Sequence, residues 1–596
     1  MNYKAPVKDL LFNIRHLAEI EKMAHLPGLE DAGPDVVQAV LEECARFSED
    51  IIAPLNTIGD IDPPSCKDGH VAMPPGFKDA YRQYMDAGWQ RLQHESEFGG
   101  QGLPKVVGAA CLEIFNSASL SFALCPLLTD GAIEALLTAG SESLKRTYLA
   151  KLVSGQWTGT MNLTEPQAGS DLSQLRSRAE VQADGSYRIF GTKIFISYGE
   201  HEMAENIIHL VLARVQGAPA GVKGISLFVV PKFLVDSDGA LGERNDVKCV
   251  SIEHKMGIKG SPTAVLSFGD HGGATGYLVG QENRGLEYMF IMMNAARFAV
   301  GVQGIAVSER AYQLAVAYAR ERVQGRPVDG SASVGVPIIH HPDVRRMLMT
   351  MRALVEGTRA TAITAAAACD MSRRHPDAQV RLDNQALYEF MVPLVKGYST
   401  EISQEVTALA VQVHGGTGFI EESGAAQHYR DCKILTLYEG TTGIQANDLV
   451  GRKTCRDGGV IARSIAARIE MTEDELRATG TESAGVVARE LAAARQAYLA
   501  AVDSIVSHAR DNPNAAYAGS VPYLMLAGNL VAGWNLGRAL LAALEDEKSG
   551  EDSSFLQGKI TTARFFAEHI LPRTQTLRDA IVRGSQSVMA LPPDLF

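Results

Sequence analysis

The sequence predicts an α+β multidomain protein in which helical segments flank a central β-rich segment. Apolar residues recur at helical spacing in the first part of the chain, and short β-branched runs between turn signals follow. Helical periodicity then returns and continues through the last part. This order predicts an N-terminal helical domain, a middle β domain, a C-terminal helical bundle and an additional helical C-terminal domain.

The sequence pattern changes along the chain, and these changes mark the expected domains. Residues 1–34 form an N-terminal extension, and 35–157 contain helical runs such as VVQAVLEECARFSEDII. Residues 158–280 contain SYRIFGTKIFISYG and GISLFVVPKFLV, which are typical of strands. Long amphipathic stretches across 281–453 predict the bundle, and 454–596 add helices that we interpret as a separate appendage.

One interruption within the bundle has a distinct composition. The stretch RPVDGSASVGVP, from Arg326 to Pro337, places Gly, Ser and Pro between two strongly helical segments. Such composition predicts an exposed loop.

Composition and charge exclude several classes of protein. The 596 residues carry a net charge of −13, which disfavours binding to nucleic acid. Uninterrupted apolar stretches fall short of the ~18 residues that a membrane span needs, and the first residues lack the apolar core of a secretory signal. We therefore expect no membrane span and a cytoplasmic protein. The eight cysteines include no CxxC pair, which favours reduced thiols and no metal site.

The segment YEGTTGIQANDL places Glu439 directly after the apolar run ILTL. A carboxylate at the edge of a buried element has a raised pKa, because burial disfavours the charged form, and this makes Glu439 a candidate general base. A structural glutamate that caps or pairs is the alternative interpretation from local sequence alone.

Five motifs in order support the first interpretation. They are MNLTEPQAGSDLSQL, GTKIFISYG, YARERVQGR, QVHGGTGF and YEGTTG. Together, over residues 35 to 452, they resemble the acyl-CoA dehydrogenase family, and the length and tail resemble its larger bacterial members. The resemblance implies a middle β-barrel or sandwich domain and a C-terminal four-helix bundle. It also implies a flavoprotein that binds FAD and uses Glu439 to remove the substrate's α-proton.

The resemblance also implies a role for further residues. The implied FAD contacts are Met161, Leu163, Thr164, Gly169, Ser170, Phe195, Ile196, Ser197, Arg322, Gln412, Gly415, Gly416, Thr441 and Gly443. Ser170 and Gly440 are implied substrate contacts. Phe195 is expected to cover one face of the flavin, the Ser197 hydroxyl to approach N5, and Arg322 to bind the pyrophosphate. Gln412 and the glycine pair would reach the FAD of a neighbouring subunit, which implies a homodimer or tetramer.

The implied reaction is α,β-dehydrogenation of an acyl-CoA thioester to its trans-2-enoyl-CoA, in fatty-acid β-oxidation or in catabolism of 3-methylmercaptopropionyl-CoA. Electron-transferring flavoprotein is the expected acceptor, and an acyl-CoA oxidase that uses oxygen is the alternative. Chain length, branching and sulfur content of the acyl group stay open. A DNA-associated, non-catalytic flavoprotein of the same fold is a further alternative, but residues 455–596 hold 14 basic and 17 acidic side chains, whereas a DNA-binding appendage should be basic.

Overall fold

The structure is a computed structural model that describes residues 3–236, 239–550 and 552–596. Its helices are α1 Val7–His16, α2 Ile20–Met23, α3 Pro34–Phe47, α4 Ala53–Ile61, α5 Phe77–Asp86, α6 Lys105–Ala118, α7 Leu120–Ala139, α8 Glu142–Val153, α9 Gly285–Glu321, α10 Pro342–Arg374, α11 Ala378–Pro393, α12 Ser399–His414, α13 Ala425–Cys432, α14 Thr442–Asp448, α15 Val460–Ala478, α16 Glu482–His508, α17 Pro513–Ala518, α18 Ser520–Lys548, α19 Ser553–His569, α20 Arg573–Arg583 and α21 Ser585–Val588. Its strands are β1 Ser65–Lys67, β2 His70–Ala72, β3 Trp157–Asn162, β4 Arg178–Val181, β5 Tyr187–Ser197, β6 Asn206–Val215, β7 Ser226–Pro231, β8 Phe233–Val235, β9 Leu241–Arg244, β10 Val247–Ile252, β11 Thr263–Phe268 and β12 Ala274–Val279.

The described residues form two compact units. The helical unit comprises residues 3–45, 104–117 and 300–596, apart from the undescribed position 551, and the β unit comprises 46–103 and 118–299, apart from 237 and 238. The succession of helices, strands and helices along the chain confirms the predicted fold class.

An eight-stranded sheet dominates the β unit. Its strands follow the order β10-β11-β5-β12-β7-β6-β3, and β4 pairs with both β5 and β6. The strands β3 and β4 run parallel to β6, and the other pairings are antiparallel. Because β5 is long, it pairs with β11 through its C-terminal half and with β12 through its N-terminal half. A hairpin of β1 and β2 lies within the stretch that the sequence predicts to be helical.

The tail packs on the bundle within the helical unit. The Thr364 hydroxyl of α10 donates to Asn535 Oδ1 of α18 at 2.8 Å, and the Tyr398 hydroxyl donates to Asn529 Oδ1 at 2.9 Å. A Cβ on Gly528 would lie 2.2 Å from Tyr398 Cγ, so this close approach requires glycine. Helix α18 is largely buried, which explains why its sequence is apolar on most sides.

A buried charge network joins the N-terminal extension to the bundle and the tail. The guanidinium of Arg359 binds Asp9 at 2.8 Å and Glu309 at 2.7 Å, and Lys559 Nζ binds Asp9 at 2.6 Å. The pKa of Asp9 lies well below its usual value, because these two cations outweigh the effect of burial. Breaking one partner of such a network leaves an uncompensated buried charge, so the network holds these three parts of the unit in one arrangement.

The stretch from Arg326 to Pro337 is a loop, as predicted. It follows α9, and most of its residues are exposed. Its base is closed by backbone hydrogen bonds from Gln324 N to Val336 O and from Val336 N to Gly325 O, each at 3.0 Å.

Two helices of the described part of the chain are long and apolar enough to cross a membrane by length and composition. They are α7 and α9, and their most apolar windows are 83 % and 72 % buried within the protein. Core helices of soluble proteins commonly pass this test, so the absence of a membrane span stays a prediction.

Candidate active site

In the β unit, the first predicted motif leaves the sheet at the end of β3. Met161 is buried within β3, and Leu163 and Thr164 follow it half-buried. The Thr164 carbonyl accepts a hydrogen bond from Ile194 N at 3.0 Å, which fastens this segment to β5. The two segments that the sequence predicts to contact flavin are therefore neighbours in the structure.

A buried ion pair joins the same two segments, and sequence reasoning missed it. Lys193 Nζ of β5 lies 2.8 Å from Glu165 Oε1 and also donates to the Leu163 carbonyl at 3.0 Å. Both side chains are almost completely buried, with 0 % and 3 % exposure. Burial lowers the pKa of Lys193 to about 8. Burial alone would raise the pKa of Glu165, but the Lys193 ammonium and three hydrogen bonds from Arg176 and Ser177 lower it to about 2.

Phe195 adopts an unusual conformation within β5. Its φ is +60°, and the pairing of β5 with β11 shifts register at this position, as in a β-bulge. The bulge leaves Phe195 60 % exposed, while Ile196 is buried and Ser197 is half-buried opposite Thr263. A left-handed non-glycine residue is strained, and such strain concentrates at binding sites. An exposed aromatic face held by a bulge fits a planar ring system such as isoalloxazine.

The turn after Thr164 presents an open backbone surface. Glu165 and Ala168 exchange two backbone hydrogen bonds, and Gly169 and Ser170, which follow them, are exposed. A Cβ placed on Gly169 would meet no atom within 4 Å, so the fold itself does not demand glycine there. The open space fits the close approach of a ligand, which is the role predicted for this glycine.

In the helical unit, Glu439 lies on a strained loop before α14. Its φ is +54°, and the φ of Gly440 is +88°. The buried Lys396 Nζ donates to the Gly440 carbonyl at 2.6 Å and to the Leu435 carbonyl at 2.9 Å, and Gln445 Nε2 donates to the Glu439 carbonyl at 3.2 Å. Glu439 is half-buried, which fits its predicted role as a base that reaches a substrate.

A second set of contacts holds the residue before Glu439. The Tyr438 hydroxyl donates to Gln303 Oε1, and Gln303 Nε2 donates to Asn116 Oδ1 at 3.0 Å. Burial, with the nearby Glu439 carboxylate, raises the pKa of Tyr438 far above its usual value, so its hydroxyl remains a neutral donor. After the loop, the Thr441 hydroxyl caps α14 by accepting from Ile444 N at 3.3 Å, and Gly443 lies half-buried in the first turn.

The predicted pyrophosphate and intersubunit residues lie at the ends of two helices. Arg322 is exposed directly after α9, and Gly415 ends α12 with φ +61°. The Tyr318 and His414 rings stack with centroids 4.3 Å apart, which joins these two helix ends. Gln412 and Gly416 are exposed beside Gly415, and a Cβ on either glycine would meet no atom within 4 Å.

The predicted site residues therefore form two groups. The residues from Met161 to Ser197 lie in the β unit, and those from Arg322 to Gly443 lie in the helical unit. Among the described residues, His, Cys, Asp and Glu side chains form no cluster that could hold a metal ion.

Comparison with known families accounts for most of the chain. Residues 35–156 match the profile described as acyl-CoA dehydrogenase, N-terminal domain, residues 160–271 the middle domain, and residues 283–453 the C-terminal domain. Residues 462–592 match acetyl-CoA dehydrogenase C-terminal like.

Individual relatives cover the whole length. The chain is 56 % identical over 589 residues to 3-methylmercaptopropionyl-CoA dehydrogenase of Ruegeria pomeroyi, with 99 % of each chain covered. The fold is similar to that of Caenorhabditis elegans ACDH-11 in complex with C11-CoA, with a TM-score of 0.75, 20 % identity and coverage of 98 % and 96 %. It is also similar to that of an acyl-CoA dehydrogenase complexed with FAD from Bacillus anthracis, with a TM-score of 0.74, 21 % identity and coverage of 94 % and 89 %. The chain belongs to the acyl-CoA dehydrogenase family.

Proposed function

We propose that this protein converts an acyl-CoA thioester to its trans-2-enoyl-CoA with Glu439 as the base that removes the α-proton. Membership of the family makes the chain an FAD-dependent oxidoreductase. The observation that carries the assignment of the base is the position of Glu439 on a strained loop. The buried Lys396 and Gln445 hold this loop by donating hydrogen bonds to the carbonyls of Gly440 and Glu439.

The residues of the helical unit perform the proton transfer in this proposal. The Glu439 carboxylate accepts the α-proton, and the Glu439 backbone N–H donates to the thioester carbonyl, which stabilises the negative charge that develops on that oxygen. Gly440, with φ +88°, allows the loop to turn directly after the base. A Cβ there would lie 2.7 Å from Gln445 Nε2, so a larger residue would displace the donor that holds the Glu439 carbonyl.

The exposed ring of Phe195 and the open turn at Gly169 and Ser170 fit the isoalloxazine and the extended tail of FAD or substrate. When bound, FAD supplies the two-electron acceptor for the β-hydrogen. Phe195 would cover one face of the ring, Leu163, Thr164 and the Ser197 hydroxyl would lie at its edge, and Arg322 would pair with the pyrophosphate.

For the substrate we propose a short, sulfur-containing acyl group, because the 56 % identical relative is named for 3-methylmercaptopropionyl-CoA. Longer acyl thioesters are the competing class, since ACDH-11, which shares the fold at 20 % identity, was crystallised with C11-CoA. Anaerobic addition of both thioesters to the purified flavoprotein ranks them. Faster bleaching by the longer chain would contradict the proposed substrate and leave the reaction type intact.

For the electron acceptor we propose electron-transferring flavoprotein. For the assembly we propose a homodimer or tetramer, in which the glycine pair Gly415 and Gly416 of one subunit reaches the cofactor of the neighbouring subunit. Peroxide release under air at the rate of turnover would instead indicate an oxidase. A flavin-bearing monomer in sedimentation would contradict the intersubunit contact.

The test of the base is Glu439→Gln. We expect normal folding and flavin content, and a loss of about 10²–10⁴-fold in the rate of anaerobic flavin reduction by substrate, which is the usual contribution of a general base. Glu422→Gln, at an exposed glutamate before α13, is the matched control and should reduce flavin at the unmodified rate. Near-normal reduction in the Glu439 variant would overturn the assignment.

A further inference from the structure

Two thiols lie side by side in the β unit. Cys66 Sγ of β1 and Cys249 Sγ of β10 are 4.0 Å apart, although 183 positions separate them in sequence. Both are free thiols, and the disulfide bond length is about 2.05 Å, so closure requires an approach of about 2 Å between the sulfurs.

The hairpin of β1 and β2 holds Cys66 against the sheet. Cys66 is paired with Val71, which is buried in the same apolar cluster as Cys249. At the turn, Gly69 has φ +82°, and a Cβ there would lie 3.3 Å from the Cys249 carbonyl oxygen. The hairpin therefore packs closely on β10 through both its strand and its turn.

We propose that Cys66 and Cys249 are a modification site that hydroperoxides convert to an intramolecular disulfide. With hydrogen peroxide, the Cys66 thiol releases its proton and the thiolate attacks one peroxide oxygen. The O–O bond breaks, which gives a sulfenic acid at Cys66, and the leaving hydroxide takes up that proton to become water. The Cys249 sulfur then attacks the Cys66 sulfur, the S–S bond forms and a second water leaves. Overall the two thiols lose two protons and two electrons, and hydrogen peroxide accepts them to become two waters.

The surroundings of the two sulfurs set this order of events. Cys66 is half-buried and reachable, whereas Cys249 is 1 % exposed. Burial, together with the neighbouring Cys66, raises the pKa of the Cys249 thiol to about 12. Attack at Cys66 is therefore expected first, and the closing step should accelerate as the pH rises.

The bond would fasten the hairpin to β10, the edge strand of the large sheet. Two strands further into the same sheet, β5 carries Phe195 and Ser197. Strand β10 pairs with β11, and β11 pairs with this part of β5. A covalent link across a long loop restricts the unfolded chain, so the oxidised protein should unfold at a higher temperature.

The experiment treats the flavin-bearing full-length protein with hydrogen peroxide and counts free thiols after denaturation. We expect the loss of two thiols per chain, a mass lower by two hydrogen atoms, a non-reducing peptide that contains both cysteines, and full reversal by dithiothreitol. Cys66→Ser should lose no pair of thiols. Cys455→Ser, at a half-buried cysteine of the helical unit, is the matched control and should still form the link.

Other outcomes overturn the proposal. A sulfenic acid at Cys66 that dimedone traps while Cys249 remains a free thiol would show that the pair does not close. Peptides that link Cys66 to another cysteine, or two intact thiols after prolonged oxidation, would do the same. Because these readouts are masses and thiol counts, they are independent of the proposed catalytic function.

Discussion

Two completely buried lysines hold the two groups of candidate site residues, and they do so differently. In the β unit, Lys193 binds the Glu165 carboxylate at 2.8 Å together with the Leu163 carbonyl. In the helical unit, Lys396 binds the carbonyls of Leu435 and Gly440 at 2.9 and 2.6 Å.

The difference lies in what each lysine fastens. Lys193 joins two segments through a pair of opposite charges, so the loss of either partner leaves a buried charge uncompensated. Lys396 donates to the Gly440 carbonyl and so fixes the direction of a peptide group beside Glu439. Perturbing Lys193 should therefore change stability most, whereas perturbing Lys396 should change catalysis most.

The largest effect is expected for Lys193→Met. It leaves the Glu165 carboxylate buried without its cation, which should lower the free energy of unfolding by about 3–5 kcal/mol and weaken flavin retention. Urea unfolding followed by fluorescence and by released flavin measures both. Lys223→Met, at an exposed lysine of the same unit, is the control. A double variant with Glu165→Gln should recover part of the loss, and equal stability of the Lys193 and Lys223 variants would contradict the role of the pair.

Lowering the pH should weaken the same ion pair, with a smaller effect on the free energy of unfolding. The pKa of Glu165 is lowered to about 2 in the folded protein, from an ordinary value of 4.5. The stabilisation is complete above pH 4.5 and is lost as the pH falls toward 2, because the unfolded chain then binds the proton more readily. The full loss is about 3 kcal/mol, of which only part falls within the pH range where the protein stays folded.

To isolate the Glu165 carboxylate, the unfolding midpoint of the unmodified protein is compared with that of the Glu165→Gln variant at each pH. The difference between the two midpoints should shrink as the pH falls from 4.5 to 3.5. A difference that stays constant over this range would show that the carboxylate is not the titrating group.

Many of the candidate site residues could be proposed from the sequence because their motifs are local. Gly169 and Ser170 lie in a turn and Phe195 lies in a strand, and both elements have local sequence patterns, so pattern and resemblance together were enough to propose these residues as contacts. The exposed loop from Arg326 to Pro337 followed from composition in the same way.

The parts that escaped prediction depend on long-range pairing. Lys193 lies 28 residues from Glu165, and Lys396 lies 44 residues from Gly440, so no periodicity joins either lysine to its partner. The bulge at Phe195 also depends on how β5 pairs with β11, which the sequence of β5 alone does not contain. The hairpin of β1 and β2 was missed because each strand has only three residues, too few for a period of two to stand out.

The smallest free-energy change is expected for Lys396→Met, and it should appear in kcat. Without the Lys396 ammonium, the Gly440 carbonyl is no longer fixed and the Glu439 carboxylate is no longer held in one orientation. We therefore expect kcat to fall about 10–100-fold, which corresponds to an increase of about 1.4–2.7 kcal/mol in the activation free energy. Lys396 is a positioning residue, so flavin content and the KM for the thioester should change little. Lys433→Met, at an exposed lysine just before the same loop, is the matched control and should keep its kcat. A folded Lys396 variant with unchanged kcat would mean that Gln445 and the contact of Tyr438 with Gln303 suffice to hold the loop. A loss of flavin in proportion to the loss of kcat would mean that Lys396 stabilises the fold, as Lys193 does.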